Sequence, residues 1–374
     1  MLRKSIGFAF AGLLVAAVPF LAIAGGQQDD KFATSGNITI TLKKDFITEY
    51  KNRATIDADD YVIDMAHKQP NPPAKDGDLH IAGRADSIGL PIVAEIMNAK
   101  DEKAAVKRVH ALEGTGKTLK VSGAWRLWCE HAGSSKQIQG APLKPFKTTN
   151  PPHVFEIHPV TNLGGIDVTG AFRPIKGFQA KDAHDAFVHY ENVRCLIKAQ
   201  GSTVTLVTHM AGYNYVEFIL ELNEDKPFAL KDGFAVQCMV RDLEGELLVH
   251  TRRMIFVQGT EPCSRVEGLT KGKRLHVLGL PRIDLALVDW RVANPDYMGE
   301  DTLKWNLPYE IIVVGVYPSD TTADDGEEQA ARSAPAAPRG VAAGQLIAPA
   351  TDGRLAGSGA LFGPHCTLRH PRVP

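Results

Sequence analysis

No excess of either charge marks this chain. Its 42 basic and 43 acidic residues leave a formal net charge of −1. That excludes a global field for capturing nucleic acid, though a local basic groove stays open. Beyond the N-terminal segment, no stretch is apolar for the ~20 residues that a membrane helix needs. Cysteine is scarce and unpatterned: Cys129, Cys195, Cys238, Cys263 and Cys366 are odd in number, and no pair is spaced C-x-x-C. Such spacing argues against a structural cysteine-zinc site. One or two disulfides could form in an oxidising compartment, but the spacing assigns no pairs. Cys238 sits inside an apolar strand and is expected to be an isolated buried thiol. The G-x-S-x-G and H-E-x-x-H signatures are missing, which removes the common serine-hydrolase and zinc-protease classes. No internal repeat is visible.

What is present begins at the N-terminus. Arg3 and Lys4 precede an apolar run from Ile6 to Ile23, and Ala22-Ile23-Ala24 is followed by the polar Gly25 to Asp30. That order is expected to be a cleaved secretory signal over residues 1–24. An uncleaved anchor is the competing reading, and Pro19 with the Ala-Ile-Ala site favours cleavage. No cysteine lies near the junction to carry a lipid. The mature chain is expected to be soluble, and secreted or periplasmic.

The 374 residues suit two ordinary domains, and a hydrophobic content of 44% suffices for real cores. The expected class is mainly β with minor α. Residues 25–75 read as a lead-in segment that ends in the stiff Gln69-Pro70-Asn71-Pro72-Pro73 linker. Residues 76–200 read as a barrel-like β module with short helices, with the oligonucleotide/oligosaccharide-binding (OB) type as a candidate. Within it, Pro91 is expected to open a helix through Met97, and Pro159 to stop the strand starting at Val154. Residues 101–113 suit a helix or a hairpin arm. Residues 201–318 read as an antiparallel β-sandwich-like module, because short alternating runs recur between turns. Leu243 to Glu246 gives its clearest hairpin signal, and Ile283 to Val292 alternates like a strand. Residues 319–374 are rich in Ala, Pro and Gly and are expected to be a disordered tail.

Several motifs invite chemistry. Gly114-Thr115-Gly116-Lys117-Thr118 looks like the end of a phosphate-binding loop, but Ala111 stands where that motif needs glycine. A strand pattern also follows it, where a helix should aim its N–H groups at phosphate. A tight turn is the expected structure. Asp76-Gly77-Asp78-Leu79-His80 sets two carboxylates beside an imidazole. Asp76 to Asp78 resembles one fragment of the staphylococcal nuclease family. That family's following Arg-Leu-x-Gly-Ile-Asp-Thr-Pro-Glu segment is absent, so its active site is not carried over.

Alternation along strands groups the remaining candidates. Asp78 and His80 share a face, as do Arg126, Trp128 and Glu130, and as do Glu156 and His158. If the three strands are neighbours, Asp78, His80, Glu130, Glu156 and His158 converge. Imidazoles with a carboxylate can hold zinc or another transition metal. The plainer alternative is a half-exposed sheet with a polar solvent side. Trp125 and Trp128 fall on opposite faces, and Trp128 beside Arg126 is the candidate for stacking on a ligand ring.

Two functions follow as expectations. The first is a secreted non-catalytic protein that binds a carbohydrate, peptide or protein through Arg126 and Trp128, with no cofactor. The alternative is a metal-dependent phosphoester hydrolase. There Asp78, His80 and His158 would hold a divalent metal, and Glu130 or Glu156 would act as general base.

Overall fold

Alternating burial along Ile38–Lys43 makes it an ordinary strand, β1, and helix α1 (Lys44–Tyr50) follows. The computed structural model describes residues 38–132, 136–295 and 305–318, all within one compact unit. The expected signal segment and the expected C-terminal tail lie outside the described residues. Next come β2 (Thr55–Ala66), β3 (Leu79–Arg84), β4 (Ile92–Ile96), α2 (Lys103–Leu112), β5 (Thr118–Leu127), β6 (Lys136–Ile138), β7 (Phe155–Leu163) and β8 (Ile166–Asp167). A connecting stretch holds α3 (Ala183–Asn192), β9 (Cys195–Gln200) and β10 (Thr203–Thr208). The rest is β11 (Val216–Leu222), β12 (Phe228–Leu230), β13 (Gly233–Arg241), β14 (Leu247–Val257), α4 (Glu261–Val266), β15 (Arg274–Ile283), α5 (Leu285–Ala293) and β16 (Tyr309–Val316).

The first barrel closes in the order β2-β3-β4-β7-β5 and back to β2. Only the β4–β7 contact is parallel. Its interior is filled by Ile56, Ile81, Ile92, Val121, Phe155 and Ile157, all fully buried. Burying each such side chain stabilises the fold by about 1.5–3 kcal/mol. The second barrel closes in the order β11-β13-β14-β16-β15 and back to β11, with β14–β16 its parallel contact. In strand sequence both read 1-2-3-5-4, each with a helix between its third and fourth strands. This is the topology of the OB type. The two modules are therefore structural duplicates, although their sequences show no repeat.

Several expectations are corrected. The second module is β-rich as expected but closes beyond a sandwich-like arrangement into a barrel, because β11 pairs with β13 on one side and β15 on the other. The barrel also starts before residue 76: its first strand, β2, lies inside the expected lead-in. Ile92 to Ile96 is a strand and no helix, held between β3 and β7 with all five residues buried. A short, wholly buried run has no period to tell strand from helix. Leu285–Ala293 is a helix, started by the Asp284 carboxylate, which accepts from the Leu287 N–H at 2.9 Å. Strand β7 runs through Pro159, because the β5–β7 ladder is irregular there, pairing Gly123 with Val160 and Trp125 with Ile157. A bulge asks no ladder N–H of the proline.

Elsewhere the expected strands and the Leu243–Glu246 hairpin are present, with Gly245 at φ +92°. Gly114 and Gly116 form a turn after α2, at φ +67° and +71°, and strand follows, so no phosphate loop is built. Cys129, Cys195, Cys238 and Cys263 are free and buried, and Cys366 lies outside the described residues. Among the described residues no helix is long and apolar enough to cross a membrane.

Two features join the barrels. A mixed sheet, β6-β1-β10-β9, takes strands from the first described residues, the β5–β7 connection and the connecting stretch. The second feature is a packed layer between the outer faces. Ala124 and Met97 from the first barrel lie in one buried cluster with Leu278, Leu280, Ile312 and Val314 from the second. Each barrel also sends one arginine into the other. Arg126 donates through Nε to the Pro281 carbonyl at 3.0 Å. Arg282 donates to the carbonyls of Ala54, Trp125 and Arg53 at 3.2, 3.0 and 3.1 Å, and to Glu310 at 2.6 Å. Its guanidinium lies 3.5 Å from the Trp125 ring centroid. Spreading the charge over this many acceptors is what makes a fully buried guanidinium tolerable.

Candidate metal centre between the barrels

The registers bring the polar residues of the first barrel together on its outer face. His80 sits opposite Glu95, Glu95 lies two residues beyond Val93, which faces Glu156, and Glu156 faces Arg126. Apolar neighbours at alternate positions fill the barrel, so these side chains must point outward. Outward here means into the layer between the barrels. Asp78, His80, Glu95, Arg126, Glu156 and His158 are all buried, with His80 the most exposed at 9%.

Tyr215 reaches this group from just ahead of β11. Its hydroxyl donates to Asp78 Oδ2 at 2.6 Å and lies 2.8 Å from His158 Nε2. The other His158 nitrogen, Nδ1, is 3.2 Å from Glu156 Oε2 and 3.5 Å from Glu95 Oε2. Arg126 donates to Glu156 at 2.5 Å and to Glu130 at 3.2 Å, and His153 Nε2 is 3.3 Å from Glu156 Oε1. Glu156 is thus fully engaged, and Arg126, His153 and His158 hold its carboxyl well below the usual range despite its desolvation.

Asp78, Glu95 and His80 are not so well provided. Desolvation raises Asp78 to about 6 and lifts Glu95 well above its ordinary value. Desolvation, helped by His67 and His158, lowers His80 to about 3, so its imidazole is neutral. His67 stacks on it at 4.5 Å. Asp78 Oδ1, Glu95 Oε2 and both nitrogens of His80 are buried without a hydrogen bond. His80 Nε2 and Glu95 Oε2 are 3.4 Å apart. Buried polar atoms left this way each cost about 1–3 kcal/mol unless something else satisfies them. Ligand atoms of Asp78, Glu95 and His158 all lie within 4.8 Å of one another. Oxygen and imidazole donors in that mixture fit zinc, manganese or iron in the divalent state.

The structure brings Asp78, His80, Glu156 and His158 together. Glu130 touches the group only through Arg126 and stays partly exposed. Trp128 does not join it: the strand ends at Leu127, and Trp128 turns into the core, edge-on to Tyr190 at 5.5 Å. At 2% exposure its ring has no free face for a ligand, and Arg126 is fully buried. Sequence reasoning missed Glu95 and Tyr215. Reading Ile92 to Ile96 as a strand would have put Glu95 on the outer face. Tyr215 comes from the other module and gave no local signal. Asp76 lies in the turn before β3, where its Oδ1 accepts from Asn71 and from the Asp78 N–H at 2.8 and 3.0 Å.

No protein-family model and no curated protein matches the chain. A solved structure described as "Structural mimicry for functional antagonism" is 9% identical, covering 69% of this chain and 87% of its own. Its TM-score of 0.17 carries no argument.

Proposed function

We propose that the protein is a non-catalytic binding protein, secreted or periplasmic, whose two OB-type barrels are clamped around one divalent metal ion. Asp78, Glu95 and His158 hold the ion, with His80 at the edge of the set. One observation carries this reading. Asp78 Oδ1, Glu95 Oε2 and both His80 nitrogens are unsatisfied, yet the side chains that bear them are sealed between the barrels beside His158 and under Tyr215. The unsatisfied donors favour a cation. The seal leaves no path for a phosphoester, which disfavours the hydrolase. The ligand, a carbohydrate, peptide or protein in the general case, would bind elsewhere on the barrels.

Metal analysis of protein purified without chelator tests this. About one equivalent of zinc, manganese or iron is expected, and Asp78→Asn with His80→Ala should remove it. Chromogenic phosphodiesters and esters should give no turnover with or without added metal. Metal-free protein of full stability would overturn the clamp, and chelator-sensitive turnover would overturn the non-catalytic reading.

A further inference from the structure

A second concentration of charge lies away from the barrel interface. Glu191, at the end of α3, and the nearby Arg194 meet Arg252 of β14, Arg291 of α5 and the segment Trp305–Tyr309 around a pocket of 260 Å³. Three guanidinium groups face one lining carboxylate. Glu191 is already engaged: it accepts from Arg252 at 2.5 Å and from the Tyr309 hydroxyl at 2.6 Å.

The arginines are held in place before any ligand arrives. Arg194 donates to the Asn306 side-chain oxygen at 2.7 Å, and Arg291 donates to the Asn306 carbonyl at 2.8 Å. Arg252 lies 3.9 Å from the Tyr309 ring centroid, and Arg291 lies 5.5 Å from that of Trp305. Arg252 Nε is buried without a hydrogen bond. Burial lowers the Arg291 guanidinium, Arg252 acts in the same direction, and Cys195 and Asp284 oppose it. A crowded, partly dehydrated cation of this kind is relieved by an anion.

We infer that this pocket binds the oxyanion group, carboxylate or phosphate, of a small acidic solute. Guanidinium forks fixed in place match the paired oxygens of such groups. The volume lies below the roughly 300–1,000 Å³ of drug-sized ligand sites, which suits a small solute. The inference deepens the binding-protein reading by naming a ligand class, and it does not depend on the metal clamp.

The test is calorimetric titration of the full chain with inorganic phosphate and, separately, acetate at constant ionic strength. Potassium chloride is the screening control. Saturable binding near one equivalent is expected for at least one of the two, and the better one identifies the group. Arg291→Gln should weaken it at least tenfold, and Arg291→Lys, which keeps the charge but loses the fork, should weaken it nearly as much. Circular dichroism confirms folding, and Arg194→Gln replaces any variant that fails to fold. A wild-type response no different from chloride, or one unchanged in Arg291→Gln, overturns the inference. Asp78→Asn with His80→Ala should abolish metal uptake and leave anion binding intact, and Arg291→Gln should do the reverse, so the two proposals fail separately.

Discussion

Glu156 shows at the level of one side chain how the buried polar group is balanced. Its carboxylate neutralises Arg126 and orients both His153 and His158. Changing Glu156 to Gln should destabilise the protein by about 3–5 kcal/mol in urea unfolding, because it leaves the buried Arg126 with the partly exposed Glu130 as its remaining ion-pair partner beside the neutral Pro281 carbonyl. Replacing the pair together, Arg126→Met with Glu156→Leu, should recover much of that loss. A second expectation concerns protons. Burial alone would lower the His158 imidazole, but Glu95, Asp78 and Glu156 raise it to about 10, so it is protonated at neutral pH. An ion bound through His158 must expel that proton, whereas Asp78, near 6, is already ionised. Glu95, which burial also raises, adds a further proton to the release wherever it is still protonated. Apparent affinity should therefore rise at least about tenfold per pH unit between roughly pH 7 and 9, read by competition with a chromogenic chelator. An affinity flat across that window would place the ion off His158.

At the scale of strands and helices, the barrel corner depends on Gly123. A Cβ there would meet the Pro159 carbonyl oxygen at 2.5 Å and Val160 Cα at 2.8 Å, and backbone atoms cannot swing aside. Gly123→Ala should cost at least the ~1–3 kcal/mol typical of overpacking, measured as a shift in the urea midpoint with unchanged slope. The same elements mark how far the sequence could be read. Strands with one wet face, such as Ile38–Lys43 and Val216–Leu222, announce themselves by alternation. Ile92–Ile96 does not, because both of its faces are dry, and Leu285–Ala293 carries apolar residues at spacings that suit either period. The metal-capable face followed from parity on β3, β5 and β7. Parity then failed at Trp128 and Glu130, one and three residues past the end of β5, where it no longer governs direction. Nothing local could announce Tyr215 or the Arg126–Pro281 contact, since both depend on how one barrel rests on the other.

Across the whole molecule, two barrels behave as one body because each fills a need in the other. Arg282 of the second barrel satisfies the carbonyls of Ala54 and Trp125 in the first, and Arg126 reciprocates at Pro281. Unfolding should therefore be a single step: tryptophan fluorescence and far-ultraviolet circular dichroism should report coincident urea transitions. Arg282→Lys, which lacks the planar fork, should destabilise the chain and separate the two transitions. Separate transitions in the wild-type chain would mean that the barrels stand independently.

The mixed sheet also imposes an order in time. Strand β1 is among the earliest described parts of the chain, yet its antiparallel partner for Ile38 is Thr208. A ribosome adding about 5–20 residues per second keeps that edge waiting many seconds for its mate. Through that interval the mixed sheet stays unfinished while every strand of the first barrel has already been made, so the barrel must be able to form with β1 still waiting beside it.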